Sequence, residues 1–247
     1  MSSILLLGDA HLHEGDPEIG SFLSFLKSLP TRTSALYLLG DLFDLWIGAP
    51  AFLSTCHARV VGALRELRAT GTTLTYVEGN RDYHLRPIFR PDPFQEVVGE
   101  GTDVAFGTRK IHLAHGDLVN REDRPYRLWR RLAKGRLLFG ALRLLPTGTA
   151  RSLARRLERA IARTNRRHRA KFPEEECRRF ALEQLERGND TLVLGHFHQE
   201  TRRAYQGPRG TIEVYVLPAW RDGRRSLRIH EDGRAVFESF GGVGDPS

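Results

Sequence analysis

The stretch Leu39-Gly40-Asp41-Leu42-Phe43-Asp44 decides how this chain is read. Asp41 follows Gly40 and an apolar run from Ala35 to Leu39. Such a run predicts a short buried strand, and open α/β sheets place their chemistry at the carboxyl ends of their strands. Four other apolar runs end the same way. Ile4 to Gly8 leads to Asp9 and His11, and Thr73 to Glu78 leads to Gly79 and Asn80. Lys110 to Ala114 leads to His115-Gly116-Asp117, and Thr191 to Leu194 leads to Gly195, His196 and His198. Any one of these junctions has an ordinary structural explanation, as a turn or a helix cap. Five in order, each with a glycine, point to a built site.

Helices are predicted from Glu18 to Leu29, stopped by Pro30, and from Phe52 to Ala69, with Gly71 as the C-terminal stop. The alternation with strands predicts a largely parallel sheet covered by helices. From Phe94 to Ala114, short runs separated by Gly-containing turns predict antiparallel meanders. Pro125 to about Arg187 reads as helical, broken at Pro146-Thr147-Gly148-Thr149, with Leu153, Leu157 and Ile161 on one face. Thr211 to Leu217, Ser226 to His230 and Ala235 to Ser239 read as closing strands, and the tail from Gly241 to Ser247 as frayed. The expected division is a core of residues 1–120 and 190–247 with a basic helical cap inserted at 121–189.

At 247 residues, 40% hydrophobic and 28% charged, the chain is that of a globular protein with a sizeable core. Cys56 and Cys177 lack zinc-ligand spacing and read as free thiols in a reducing compartment. No basic leader precedes the short apolar start, and no run reaches the ~20 apolar residues of a membrane span. The expected place is cytoplasmic, peripheral on the cytoplasmic face of the inner membrane. The net charge is +8, and residues 121–179 hold 19 of the 38 Lys and Arg but 6 of the 30 Asp and Glu. A segment so basic suggests an anionic partner, a phosphorylated substrate, anionic lipid or nucleic acid, although a solvated helical surface is the plain alternative.

The residue types carry their own chemistry. Imidazole nitrogens with carboxylate and amide oxygens suit Mn²⁺, Fe²⁺ or Zn²⁺ better than a thiolate or all-oxygen site would. A carboxylate has two oxygens, so Asp41 can bridge two ions, and paired ions activate water and neutralise charge at phosphorus.

Taken together, Asp9-x-His11, Gly40-Asp41, Gly79-Asn80-Arg81-Asp82, His115-Gly116-Asp117 and Gly195-His196-x-His198 resemble the signature of the calcineurin-like metallophosphoesterases. The resemblance implies an α/β sandwich of two sheets flanked by helices, here with a helical cap insertion. It implies one metal on Asp9, His11, Asp41 and His198, and a second on Asp41, Asn80, His115 and His196. The expected cofactor is two divalent ions, Mn²⁺ foremost.

A narrower resemblance is to the UDP-2,3-diacylglucosamine hydrolase family of lipid A synthesis. Gly40-Asp41-Leu42-Phe43-Asp44-Leu45-Trp46-Ile47-Gly48 and Gly79-Asn80-Arg81-Asp82-Tyr83 look like that family's versions of two motifs, and His115-Gly116-Asp117 with Asp123 and Tyr126 looks like a third. The family binds substrate through a Ser-x-x-x-Asn-x-x-Lys pattern in its insertion, and Thr164, His168 and Lys171 stand at that spacing here. The implied reaction is cleavage of a glycolipid nucleotide at its pyrophosphate. The implied substrate contacts are Asn80, Arg81, Asp123, Tyr126, Thr164, His168, Lys171 and His196, with Asp9, His11, Asp41, Asn80, Arg81 and His115 in catalysis. Many relatives in the superfamily carry His after Gly-Asn to protonate an alkoxide. Arg81 cannot give a proton, so it suits a phosphate leaving group, which needs none. The sequence departs from the family at Ala49-Pro50-Ala51, where two aspartates are usual, and at Arg121-Glu122-Asp123, where Thr-Asp-Asp is usual.

Leu137 to Leu145 reads either as a packing face or as an acyl groove or membrane contact, with Arg130, Arg131, Lys134 and Arg136 toward anionic headgroups. Two rivals stay open: another phosphodiesterase or a nuclease, and a non-catalytic membrane-binding module. Nucleic acid is disfavoured because the cap offers Trp129 and few other aromatics for base stacking. The oligomeric state is left open.

Overall fold

Aliphatic runs build two sheets that pack face to face, and helices cover their outer sides. The computed structural model describes residues 2–29, 33–168 and 172–241, with 159–168 described in their backbone alone. In chain order the first half holds β1 (Ser3–Leu7), α1 (Glu18–Ser28), β2 (Thr33–Leu38), β3 (Trp46–Ile47), α2 (Thr55–Ala69), β4 (Thr73–Val77), β5 (Asp82–Tyr83) and α3 (Arg86–Phe89). Then come β6 (Glu96–Val98), β7 (Gly101–Phe106), β8 (Arg109–Ala114), α4 (Arg124–Ala133), α5 (Arg136–Arg143), α6 (Thr147–His168) and α7 (Glu174–Glu186). The chain closes with β9 (Thr191–Leu194), β10 (Thr201–Gly207), β11 (Gly210–Val216), β12 (Arg225–His230) and β13 (Ala235–Ser239).

The first sheet has the order β13-β12-β1-β2-β4-β6, and the second β10-β11-β9-β8-β7. β1, β2, β4 and β6 run parallel, as do β8, β9 and β11. β1 is buried along its whole length because both of its faces are covered. Alternation sorts its side chains. Leu5 and Leu7 join Phe22, Leu36 and Leu64 beneath α1 and α2, while Ile4 and Leu6 meet Tyr37, Ile111 and Val193 between the sheets. α1 buries Ile19, Phe22, Phe25 and Leu26, one helical face. On the far side, α7 covers the second sheet with Cys177, Ala181 and Leu185.

Two expectations are corrected. The segment after Phe94 is not one meander: β6 pairs parallel to β4 in the first sheet, and β7 and β8 alone form the hairpin, in the second. Val97 is drawn into the core under α2, and the Gly99-Glu100-Gly101 turn carries the chain across. β10 was not expected, since Tyr205 is its one buried residue, and it is held by its register with β11. The expected break at Pro146 is present, since α5 ends at Arg143 and α6 opens on Thr147-Gly148-Thr149, and the helical stretch also breaks at Lys134-Gly135. The frayed tail, expected from Gly241 onward, lies outside the described residues beyond Gly241.

α4 to α6 sit over one end of the sandwich. Phe139, Leu142, Leu145, Ala150, Leu153 and Ala154 pack on Leu45, Ile47, Ala49 and Phe52. That platform is anchored by His57. Its Nδ1 accepts from the Ser54 N–H at the start of α2, and its Nε2 donates to the Leu45 carbonyl at 3.2 Å. Burial pushes His57 down to about 4, against the Leu45 bond. The unfolded chain therefore takes up the proton first. The stability carried by neutral His57 is complete above about pH 6.5 and is lost as the pH falls toward 4, up to about 3 kcal/mol. His57→Gln should flatten the fall in urea midpoint between about pH 7.5 and pH 5. An equally steep fall in parent and variant would contradict this.

Candidate metal centre

The ends of β1, β2 and β4 from one sheet meet the ends of β8 and β9 from the other. The loops after β1 and β2 stay in register beyond the strands, with Asp9 N–H donating to the Gly40 carbonyl and His11 N–H to the Asp41 carbonyl, both at 3.0 Å. Asp9, His11, Asp41, His196 and His198 all adopt left-handed backbone, with φ between 49° and 68°. Such conformations are costly for residues with a Cβ and collect at functional sites. Gly40 and Gly79 are required by crowding. A Cβ at Gly40 would lie 2.6 Å from the Gly79 nitrogen and from His115 Nδ1, and one at Gly79 would lie 2.3 Å from Asp41 Oδ1.

The donor atoms form two groups. In one, His11 Nε2 and His198 Nε2 are 3.2 Å apart, with Asp9 Oδ1 3.7 and 3.1 Å from them. In the other, Asn80 Oδ1 is 3.0 Å from both His115 Nε2 and His196 Nδ1, which are 3.2 Å apart. Asp41 Oδ2 lies 3.8 Å from His115 Nε2, and Asp9, Asp41 and His115 together could hold an ion. His115 Nδ1 is 2.7 Å from the Leu39 carbonyl and donates to it, so Nε2 is the nitrogen turned to the Asn80 oxygen. Against burial, the Asp41 and Asp9 charges hold His115 above its usual value. Burial lowers His196 to about 4, and burial with the Arg81 charge lowers His11 well below its usual value. Neutral imidazoles facing oxygens in a buried pocket fit a cation, and this N/O set suits a divalent transition metal. All seven expected ligands are thus brought together.

Asp82 and Asp44, which had no expected role, hold this arrangement together with Arg81. Asp82 is fully buried, and its Oδ2 accepts from Asp41 N–H at 2.9 Å, Gly79 N–H at 2.7 Å and the Tyr76 hydroxyl at 2.9 Å. Burial and the Asp41 charge push Asp82 up to about 7, against the N–H bonds from Gly79 and Asp41. Arg81, 4% exposed, donates its backbone N–H to Asp41 Oδ1 and sets its guanidinium 3.3 Å from Asp41 and 3.1 Å from Asp44. Asp44 Oδ1 also lies 3.6 Å from His11 Nδ1. Asp82 and Asp44 stand inside the quoted motifs, which was their only signal in the sequence.

The expected substrate residues are placed as follows. Asp123 caps α4, accepting from Tyr126 N–H at 3.0 Å. The Tyr126 hydroxyl donates to Asp117 Oδ2 at 2.5 Å, and Arg130 Nε donates to the same oxygen at 2.6 Å. Thr164 and His168 lie in α6, but their side chains, and Lys171 altogether, lie outside the described residues. Of the basic residues expected to face headgroups, Arg130 and Lys134 turn inward instead. Lys134 bonds Glu78 and the Gly79 carbonyl, which ties α4 to the end of β4. Arg131 and Arg136 are exposed.

A scan against protein-family models finds no match. Among individual proteins, the chain is 33% identical to a Pseudomonas fluorescens UDP-2,3-diacylglucosamine hydrolase, over 93% of this chain and 92% of that one. It is 35% identical to one from Ectopseudomonas mendocina, over 95% and 98%. The chain belongs to the UDP-2,3-diacylglucosamine hydrolase family. Both relatives match almost end to end, so the match takes in α4 to α6 as well as the two sheets. A solved archaeal phosphodiesterase is similar over 96% of this chain and 99% of its own at 10% identity and a TM-score of 0.47, too distant to bear on function. Among the described residues no helix is long and apolar enough to cross a membrane.

Asp82→Ala would strand three buried donors beneath the centre and should cost about 3 kcal/mol or more. Asp82→Asn keeps an acceptor oxygen and should cost less than half as much. Urea unfolding measures both, and equal losses would show that the acceptor is not what matters.

Proposed function

We propose that this chain cleaves the pyrophosphate of UDP-2,3-diacylglucosamine, releasing UMP and 2,3-diacylglucosamine 1-phosphate, a step of lipid A synthesis. The observation that carries the reading is the convergence of seven metal-type donors from five strand ends in a chain of this family. Asp9, His11, Asp41 and His198 would hold one divalent ion, and Asp41, Asn80, His115 and His196 the other, with Mn²⁺ the first ion to test. Such a pair of ions lowers the pKa of water and offsets charge at phosphorus.

The chain's own residues do the rest. Asp82 fixes the backbone on both sides of the centre, so the donors need not reorganise during reaction. Arg81 stays charged and hands over no proton, so it stabilises the departing phosphate rather than protonating it. Its grip on Asp41 and Asp44 holds the guanidinium beside the donors. In this reading Asp123 and Tyr126 at the start of α4, together with Thr164, His168 and Lys171, would bind the glucosamine and its phosphate.

The acyl chains would lie under the cap, and the enzyme would work on the cytoplasmic face of the inner membrane. Support comes from α4 and α5, where Leu128, Trp129 and Leu132 are 60–61% exposed and Leu137 is 93% exposed. These are insertion-type residues with arginines between them. Phe139, Leu142 and Leu145 instead face the core.

Purified protein with Mn²⁺ should release UMP from the lipid nucleotide. Asp41→Asn should lower the rate at least about 100-fold while the protein stays folded by circular dichroism. Cleavage of a model diester without any release of UMP would contradict the substrate assignment. Binding without hydrolysis of either would contradict the enzyme.

A further inference from the structure

One flank of α4 and the Gly99-Glu100 turn enclose an open groove of about 700 Å³. Two of its cations are already matched: Arg130 by Asp117 and Lys134 by Glu78. Three are not. Among the described residues, Arg124, Arg127 and Arg131 line the groove without an ion pair. The carboxylate that lines it, Glu100, is 78% exposed and lies 3.8 Å from Arg130.

This placement works against the helix. Arg124, Arg127 and Arg131 are three and four residues apart, so they share a face and repel one another. Arg124 is also the first residue of α4, at the positive end of the helix dipole, where an anion is favoured and a cation is not. A local rule broken three times on one face marks a functional surface. An anion in the groove would relieve all three conflicts.

Forked guanidinium donors from three side chains on a common face meet the oxygens of a tetrahedral phosphate from several directions, where a planar carboxylate takes one fork. The rim identifies the source. Leu128 lines the groove and is 60% exposed, with Trp129 and Leu132 beside it on the same helix. A soluble phosphate needs no such edge, whereas a lipid headgroup brings acyl chains that cover it. We propose that the α4 groove is a headgroup site in which Arg124, Arg127 and Arg131 take the phosphate of an anionic membrane phospholipid, outside the metal centre. The inference rests on the membrane-face reading given above.

The test is co-sedimentation of the full chain with three vesicle types: phosphatidylcholine alone, phosphatidylcholine with phosphatidylglycerol, and phosphatidylcholine with cholesteryl hemisuccinate. The last two are matched in surface charge by electrophoretic mobility. The parent should bind the phosphatidylglycerol vesicles at least about fivefold more tightly than the hemisuccinate ones. Arg124→Gln with Arg127→Gln and Arg131→Gln should lose that preference and still hydrolyse a water-soluble diester at the parent rate. A control of equal charge, Arg143→Gln with Arg151→Gln and Arg156→Gln, should keep it. Equal weakening in the two triple variants, or no preference in the parent, would overturn the groove and leave the membrane face standing as diffuse attraction. A parent that binds neither anionic vesicle would overturn both.

Discussion

Carboxylates and imidazoles packed within about 3–4 Å of one another in a buried pocket need positive charge among them, a shared proton or a bound cation. The rest of this molecule is arranged around that constraint. It explains why the parallel strands of two different sheets end at one place. It explains why five non-glycine residues there accept left-handed backbone. It also explains why Gly40 and Gly79 cannot carry a side chain. The strain is held by bonds from beneath, above all the three that converge on Asp82, with the His115–Leu39 bond fixing an imidazole from the side. The core between the sheets supplies the rigidity and the donors spend it.

Much of this was legible in the sequence because the signals are local. An aliphatic run followed by a glycine and an Asp, Asn or His marks a strand and its tip together, and all seven donors stand at such junctions, their ligand roles coming from the resemblance. What could not be read depends on tertiary partners. β10 looks polar because it is an edge strand with one buried residue. β6 carries the same kind of apolar pair as the hairpin strands, yet belongs to the other sheet, because register is settled by what covers Val97. Asp82 reads as a motif residue, but its task is set by Tyr76 and the Asp41 N–H, which come from elsewhere in the chain. Arg130 and Lys134 look like their exposed neighbours in a basic helix, and only the fold shows that they turn inward.

The departure at Ala49-Pro50-Ala51 finds its physical reason in the cap. Ala49 is buried, and Ala51 and Phe52 pack with Ala150, Leu153 and Ala154 at the start of α6. A carboxylate at Ala49 would be buried against apolar side chains at a cost of several kcal/mol, whereas Pro50 is exposed. The change therefore belongs to the docking of the cap rather than to the metal centre. His57 and the Leu45 carbonyl then link this platform back to the loop that starts at Asp41, so cap and centre share one support.

The central claim is that the seven donors hold two ions that share Asp41. Anomalous diffraction from crystals grown with Mn²⁺ tests it most directly. Two peaks are predicted on either side of the Asp41 carboxylate, one among Asp9, His11 and His198 and the other among Asn80, His115 and His196. A single peak, or peaks away from Asp41, would contradict it.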